Sequence, residues 1–200
     1  MKAGMEGMGD RLRWLAFAVG GATLGLAASL VLTAAPSKAS APPRFAGGEP
    51  ILPPGVRAKL LSEDASVRTY QLVLAPGTEA MAAIGEFVSK NHIEAAHFDG
   101  LGACTDAVLG YWDPTIHDYR KREYRQQMEI VSMTGDAAPT PGDGPGLHVH
   151  MGVALADGTM HGGHLFETHV SPTMELVLTA SSAPLHRTYD EKFRAWLLAP

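Results

Sequence analysis

The chain has 200 residues, 46% hydrophobic, 18% charged and 7% aromatic, with 22 glycines that follow no collagen-like period. This suits one folded domain with a short extra segment, and excludes a disordered chain, a fibre or a solenoid. The single cysteine, Cys104, excludes an intramolecular disulfide framework and Cys-rich zinc fingers, and the formal charge of −5 speaks against a protein held on nucleic acid by bulk charge.

Arg11 and Arg13 precede an uncharged, Ala/Gly-rich stretch from Trp14 to Ala35, and small residues follow at Ser37 to Ala41. This is the layout of a secretory signal peptide over residues 1–39, with cleavage after Ala39 favoured because cleavage after Ala41 would leave Pro42 at the new terminus. The competing reading is an uncleaved anchor, since the stretch is long enough to span a bilayer. Export by cleavage is preferred because glycine and alanine make the stretch only weakly hydrophobic. The first implies a periplasmic or secreted protein, the second an inner-membrane anchor facing outward. Residues 1–39 carry four of the sixteen basic and two of the twenty-one acidic residues, so the remainder has a net charge of −7.

The segment 40–56 is rich in proline and glycine and reads as an extended linker. A folded domain is expected over 57–200. Val67–Leu74 is β-branched and aromatic, as a strand should be, and Pro76-Gly77 breaks it. Thr78 is placed to cap a helix running to Asn91, with Met81, Ile84, Phe87 and Val88 on one stripe. Short strands are predicted near residues 94–99, 105–111, 120–124 and 127–134. A Pro/Gly-rich loop over 136–146 leads to a strand at 147–155. After a turn at Asp157-Gly158, two more strands are predicted at 164–170 and 175–180. One helix and about eight strands make an α+β domain: a largely antiparallel sheet packed against one main helix.

Histidines crowd the C-terminal third: His148, His150, His161, His164, His169 and His186. In the strand at 147–155, Leu147, Val149, Met151, Val153 and Leu155 share one face, and His148, His150, Gly152 and Ala154 the other. Two imidazoles two residues apart can converge on one ion, and Gly162-Gly163 lets the strand carrying His164 come close. Three histidines with an open fourth position are a zinc arrangement. The bland alternative is a polar strand face with solvated histidines. Glu175, in an apolar strand, is a candidate metal ligand, partner to an imidazole, or general base, and His161 could stand in for His164 or support it.

Other features carry less. Arg120-Lys121-Arg122 with Arg125 reads as a solvated strand edge. Gly100-Leu101-Gly102-Ala103 lacks the third glycine and following helix of a dinucleotide fingerprint and fits tight strand packing or a turn better. Cys104 reads as a buried thiol. No Gly-x-Ser-x-Gly elbow is present.

Taken in order, several segments resemble the PPC (plants and prokaryotes conserved) domain family. They are Gly100–Ala103, Leu109-Gly110-Tyr111, Glu129–Gly135, His148-Val149-His150, Asp157-Gly158, Gly162-Gly163-His164-Leu165, Thr173–Val177 and Arg187–Asp190. The resemblance implies a compact domain that assembles as a homotrimer, with His148, His150 and His164 holding a zinc ion. The chain has no Arg-Gly-Arg-Pro hook of the kind plant members use on DNA. A trimeric binding module with a zinc site and a small-molecule ligand is therefore the preferred expectation. A zinc enzyme activating water, with Glu175 as base, is the alternative. A DNA-binding regulator is disfavoured by charge and export, and a membrane partner is expected only if the N-terminal segment stays uncleaved.

Overall fold

The structure is a computed structural model that describes residues 48–142 and 144–199. The expected leader and the first part of the expected linker lie outside the described residues. The elements in chain order are β1 (Val56–Glu63), β2 (Val67–Leu74), α1 (Ala80–Lys90), β3 (Ala96–Asp113), β4 (Asp118–Thr140), β5 (Gly144–Ala154), β6 (Met160–Glu167), β7 (Val170–Ser181), β8 (His186–Asp190) and β9 (Ala195–Ala199). No helix of the described residues is long and apolar enough to cross a membrane.

Seven strands form one antiparallel sheet in the order β1-β2-β7-β3-β4-β5-β6. Strict alternation builds its core. Tyr70, Leu72 and Leu74 of β2 face inward opposite Leu178, Leu176 and Met174 of β7. Phe98 joins them from β3, in register with Leu178. β3 uses one edge twice: positions 96–104 pair with β7, and 108–110 pair with β6. The sheet therefore curls until β6 is bonded on both sides, to β5 and β3. That closure sets β6, with His164, between β3 and the β5 strand that carries His148 and His150.

Helix α1 buries Ala80, Ala83, Ile84, Phe87 and Val88, with Met81 packed at the margin, as its periodicity predicts. Tyr70 meets Phe87 edge to face at 5.4 Å. The cap is not Thr78 but Glu79, whose carboxylate accepts from the backbone N–H groups of Met81 (3.1 Å) and Ala82 (2.6 Å). The Thr78 carbonyl is committed to the Val170 N–H, which ties this residue to β7 ahead of the helix.

Three expectations about the strands need correction. The separate segments expected at 94–111 and 120–134 are two long strands, β3 and β4, that bend at register shifts instead of breaking. At one of these, Gly102, an added Cβ would lie 2.3 Å from the Thr173 carbonyl oxygen, so the Gly100–Ala103 segment serves close strand packing. The expected loop at 136–146 is mostly ladder, with Asp136 opposite His148 and Pro139 opposite Pro145. A strand over Val56–Glu63 and the hairpin β8–β9 were not expected. Cys104 is fully buried, and that burial pushes its thiol pKa up.

Candidate metal centre

The alternation read along residues 147–155 holds in β5. Val149, Met151 and Val153 are buried, while His148 and His150 project to the opposite face. β6 is registered so that His164 lies opposite His150 and Gly162 opposite Gly152. His164 also pairs with Gly110 of β3. The close approach depends on Gly163, where an added Cβ would sit 2.5 Å from the Gly110 carbonyl oxygen. Because that obstacle is backbone, Gly163→Ala is expected to lower stability by about 2 kcal/mol, in the range of overpacking. Chemical denaturation would read the loss, and an unchanged midpoint would contradict the packing described.

The three imidazoles thus meet at one place. One ring nitrogen from each of His148, His150 and His164 can be chosen so that all lie within 4.8 Å of one another. The ring centroids are 5.2 to 5.6 Å apart. Zinc bound tetrahedrally at ~2.0–2.1 Å holds its nitrogens ~3.4 Å apart, a gap that small ring rotations can close. The chemistry of the set fits such an ion. His164 Nδ1 is buried and has no hydrogen-bond partner among the described residues. A buried imidazole nitrogen left alone in this way is costly unless something coordinates or bonds it. The His148 side chain is 46% exposed and His150 is exposed, so the centre stays open on one side.

The surroundings hold the His164 ring in place and disfavour its protonation. His164 stacks on Tyr119 at 4.6 Å and meets Phe166 edge-on at 4.8 Å. Burial, with the nearby His148, His150 and Lys121, pushes the His164 pKa down to about 4. Burial also lowers that of His148, against the opposing pull of Asp136. The Asp136 carboxylate stands 3.9 Å from His148 Nδ1 and is bonded on its other oxygen by the buried Arg187 of β8.

In the metal-free protein the depressed His164 pKa makes stability depend on pH. The unfolded chain takes up this proton near pH 6.5, whereas the folded chain resists it until about 4. Stability is therefore full above pH 7, falls as pH drops from 6.5 to 4, and loses on the order of 2 kcal/mol in that window. Denaturation of EDTA-treated protein across this range would show the slope, and His164→Phe should reduce it to the part that His148 supplies.

The other candidates lie elsewhere. His161 faces Tyr124, stacked at 4.7 Å, and takes no part in the triad. Glu175 is exposed on β7, opposite Val73 and Leu101. Its partner Leu101 and the partner of His164, Gly110, lie nine residues apart along β3. Glu175 is not among the groups whose ligand atoms gather at the triad, and its place in the sheet is one that sequence order does not record. The carboxylate that does face the triad, Asp136, was hidden in the expected loop, and Tyr119 and Phe166 gave no local signal.

Fold and site together define a small antiparallel-sheet domain with an open three-histidine centre on its closing strands. The chain belongs to the Plants and Prokaryotes Conserved (PCC) domain family, whose model matches residues 61–182. It is 31% identical over 118 residues to the bifunctional protein GlmU of Synechococcus sp. (strain JA-3-3Ab), covering 58% of this chain but only 18% of that relative. A crystal structure of a metal-containing protein from Archaeoglobus fulgidus is similar at 31% identity and a TM-score of 0.61, covering 66% of this chain and 93% of that one. A Bacteroides thetaiotaomicron protein provisionally named as DNA-binding shares the fold, with a TM-score of 0.67 and 23% identity over 72% of this chain and 97% of that one.

Proposed function

We propose that this chain is an exported, homotrimeric binding module that holds a zinc ion on His148, His150 and His164. The observation that carries the metal assignment is the convergence of three ring nitrogens around the unpartnered Nδ1 of His164. The metal-containing relative from Archaeoglobus fulgidus supports it. Neutral imidazoles suit zinc, and three of them leave one position for water or a ligand.

Self-association is supported by apolar surface that a monomer would leave wet. Leu101 (59%) and Val131 (45%) are exposed beside Pro172 in a shallow apolar depression on the sheet. Tyr189, Phe193, Trp196 and Leu198 are exposed on the C-terminal hairpin. β1 also leaves an open edge at one end of the sheet. These features favour a closed oligomer, and the number three comes from the family resemblance. Export rests on the basic, apolar, small-residue order of residues 1–39. The binding reading is preferred to the zinc enzyme because Glu175, the carboxylate expected as base, is not among the groups gathered at the histidines. It is preferred to a DNA-binding role because the exported portion is acidic.

Light scattering combined with metal analysis tests the assembly. Zinc-loaded protein should have three times the chain mass and one zinc per chain, or per site shared between chains. A monomer at micromolar concentration would overturn the trimer, and well under one ion per site would overturn the zinc. Amino-terminal sequencing of the native protein should begin near Ser40, and an intact Met1 on soluble cytoplasmic protein would overturn export.

A further inference from the structure

A second concavity opens on the other side of the β3–β6 contact. It has a volume of about 460 Å³ and is walled by Tyr111 of β3, Arg120, Lys121, Arg122 and Tyr124 of β4, and His161 of β6. That volume lies within the ~300–1,000 Å³ typical of small-molecule sites. Its composition opposes that of the molecule. Acidic residues outnumber basic ones 21 to 16 in the chain, yet three bases and a histidine line this cleft and no carboxylate does.

The bases are not used up by the fold. Arg122 has no hydrogen-bond or ion-pair partner among the described residues, and its neighbour Leu109 is fixed in the core. The contact made by Lys121 is with the face of Phe166, 3.8 Å from the ring centroid. Arg120 donates from Nε to Asp113, a bond that steadies the guanidinium and leaves its terminal nitrogens available. Glu123, the acid in the same run, is turned away and held by Arg125 at 2.8 Å. A planar surface completes the site, because Tyr124 is stacked on His161 and Tyr111 is 70% exposed.

From this arrangement we infer that the cleft binds a small organic anion. The guanidinium groups of Arg120 and Arg122 take its phosphate or carboxylate, and Tyr111, Tyr124 and His161 take an attached planar ring. Arginine forks match both head groups in paired hydrogen bonds, and aromatic faces accept a ring with little loss of side-chain freedom. The site is separate from the histidine triad, although Gly110 borders both, being opposite Lys121 on one side and His164 on the other.

Titration calorimetry of the full chain at low salt with phenyl phosphate, benzoate and inorganic phosphate tests the inference. Saturable binding of phenyl phosphate or benzoate is expected, with the tighter of the two identifying the head group. The preferred aromatic anion should bind more tightly than inorganic phosphate. Arg122→Gln should weaken it about tenfold, and Arg122→Lys should restore only part of the loss. Arg125→Gln and His148→Ala should leave it unchanged. Failure of both aromatic anions to saturate at millimolar concentration would overturn the inference, as would an equal loss in Arg125→Gln. A short DNA duplex that binds through Arg122 while the small anions do not would assign the cleft to nucleic acid instead. Loss of zinc in His148→Ala with anion binding intact would keep the two sites distinct.

Discussion

Replacing His150 by alanine is expected to lower zinc affinity by at least about 100-fold, the upper end of what even an outer partner of a ligand costs when removed. His150 is the most informative of the three, because it is exposed and its side chain supports no core packing. Its ring can be deleted without disturbing Val149 or Met151, which face the other way. His97→Ala, an exposed histidine paired with Asp99 at 3.0 Å, should bind zinc as the wild type does. The loss should also appear as stability. Zinc at 100 times its dissociation constant stabilises the fold by about 2.7 kcal/mol if it binds only the folded chain, a rise of roughly 5–10 °C in Tm. Wild type should show that rise on adding zinc and His150→Ala should not. Equal shifts in both would mean that zinc binds elsewhere.

The second large effect concerns Asp136. Arg187 is 6% exposed, and its guanidinium is bonded to Asp136, which ties the C-terminal hairpin to β4. Asp136→Ala leaves that charge buried without its partner, and removal of one member of such a pair costs about 3–5 kcal/mol. Urea denaturation should show a loss of at least about 3 kcal/mol. Adding Arg187→Leu to Asp136→Ala should recover part of it, because an apolar side chain leaves no charge to compensate. If Asp136→Ala proves neutral, or the double variant is no more stable than the single, the pair is not what holds the hairpin.

These two sites differ in how far they could be read from the chain. His148 and His150 lie in a strand whose neighbours alternate cleanly, and the paired glycines before His164 signal a close approach, so local pattern sufficed. Asp136 sits in a stretch with Pro139, Pro141, Gly142, Pro145 and Gly146, which read as loop. The ladder between β4 and β5 runs through these residues regardless, because pairing with a neighbouring strand outweighs local preference. β3 likewise continues past Gly100 and Gly102, since β7 and β4 bond it on both sides. Glu175 is the opposite case. Its strand and its apolar context were read correctly, but which groups it stands beside is set by sheet order, and no local pattern records that. The basic run at 120–122 does lie on an edge-like part of β4, paired there with β3 alone. Its concave setting appears only when β6 folds back.

The proposed zinc ion on His148, His150 and His164 can be located directly. Diffraction from zinc-soaked crystals, recorded at energies on either side of the zinc absorption edge, tests it most directly. An anomalous peak about 2.0–2.1 Å from one ring nitrogen each of His148, His150 and His164 is the predicted result. No peak between these rings, or a peak held by other residues, would contradict it.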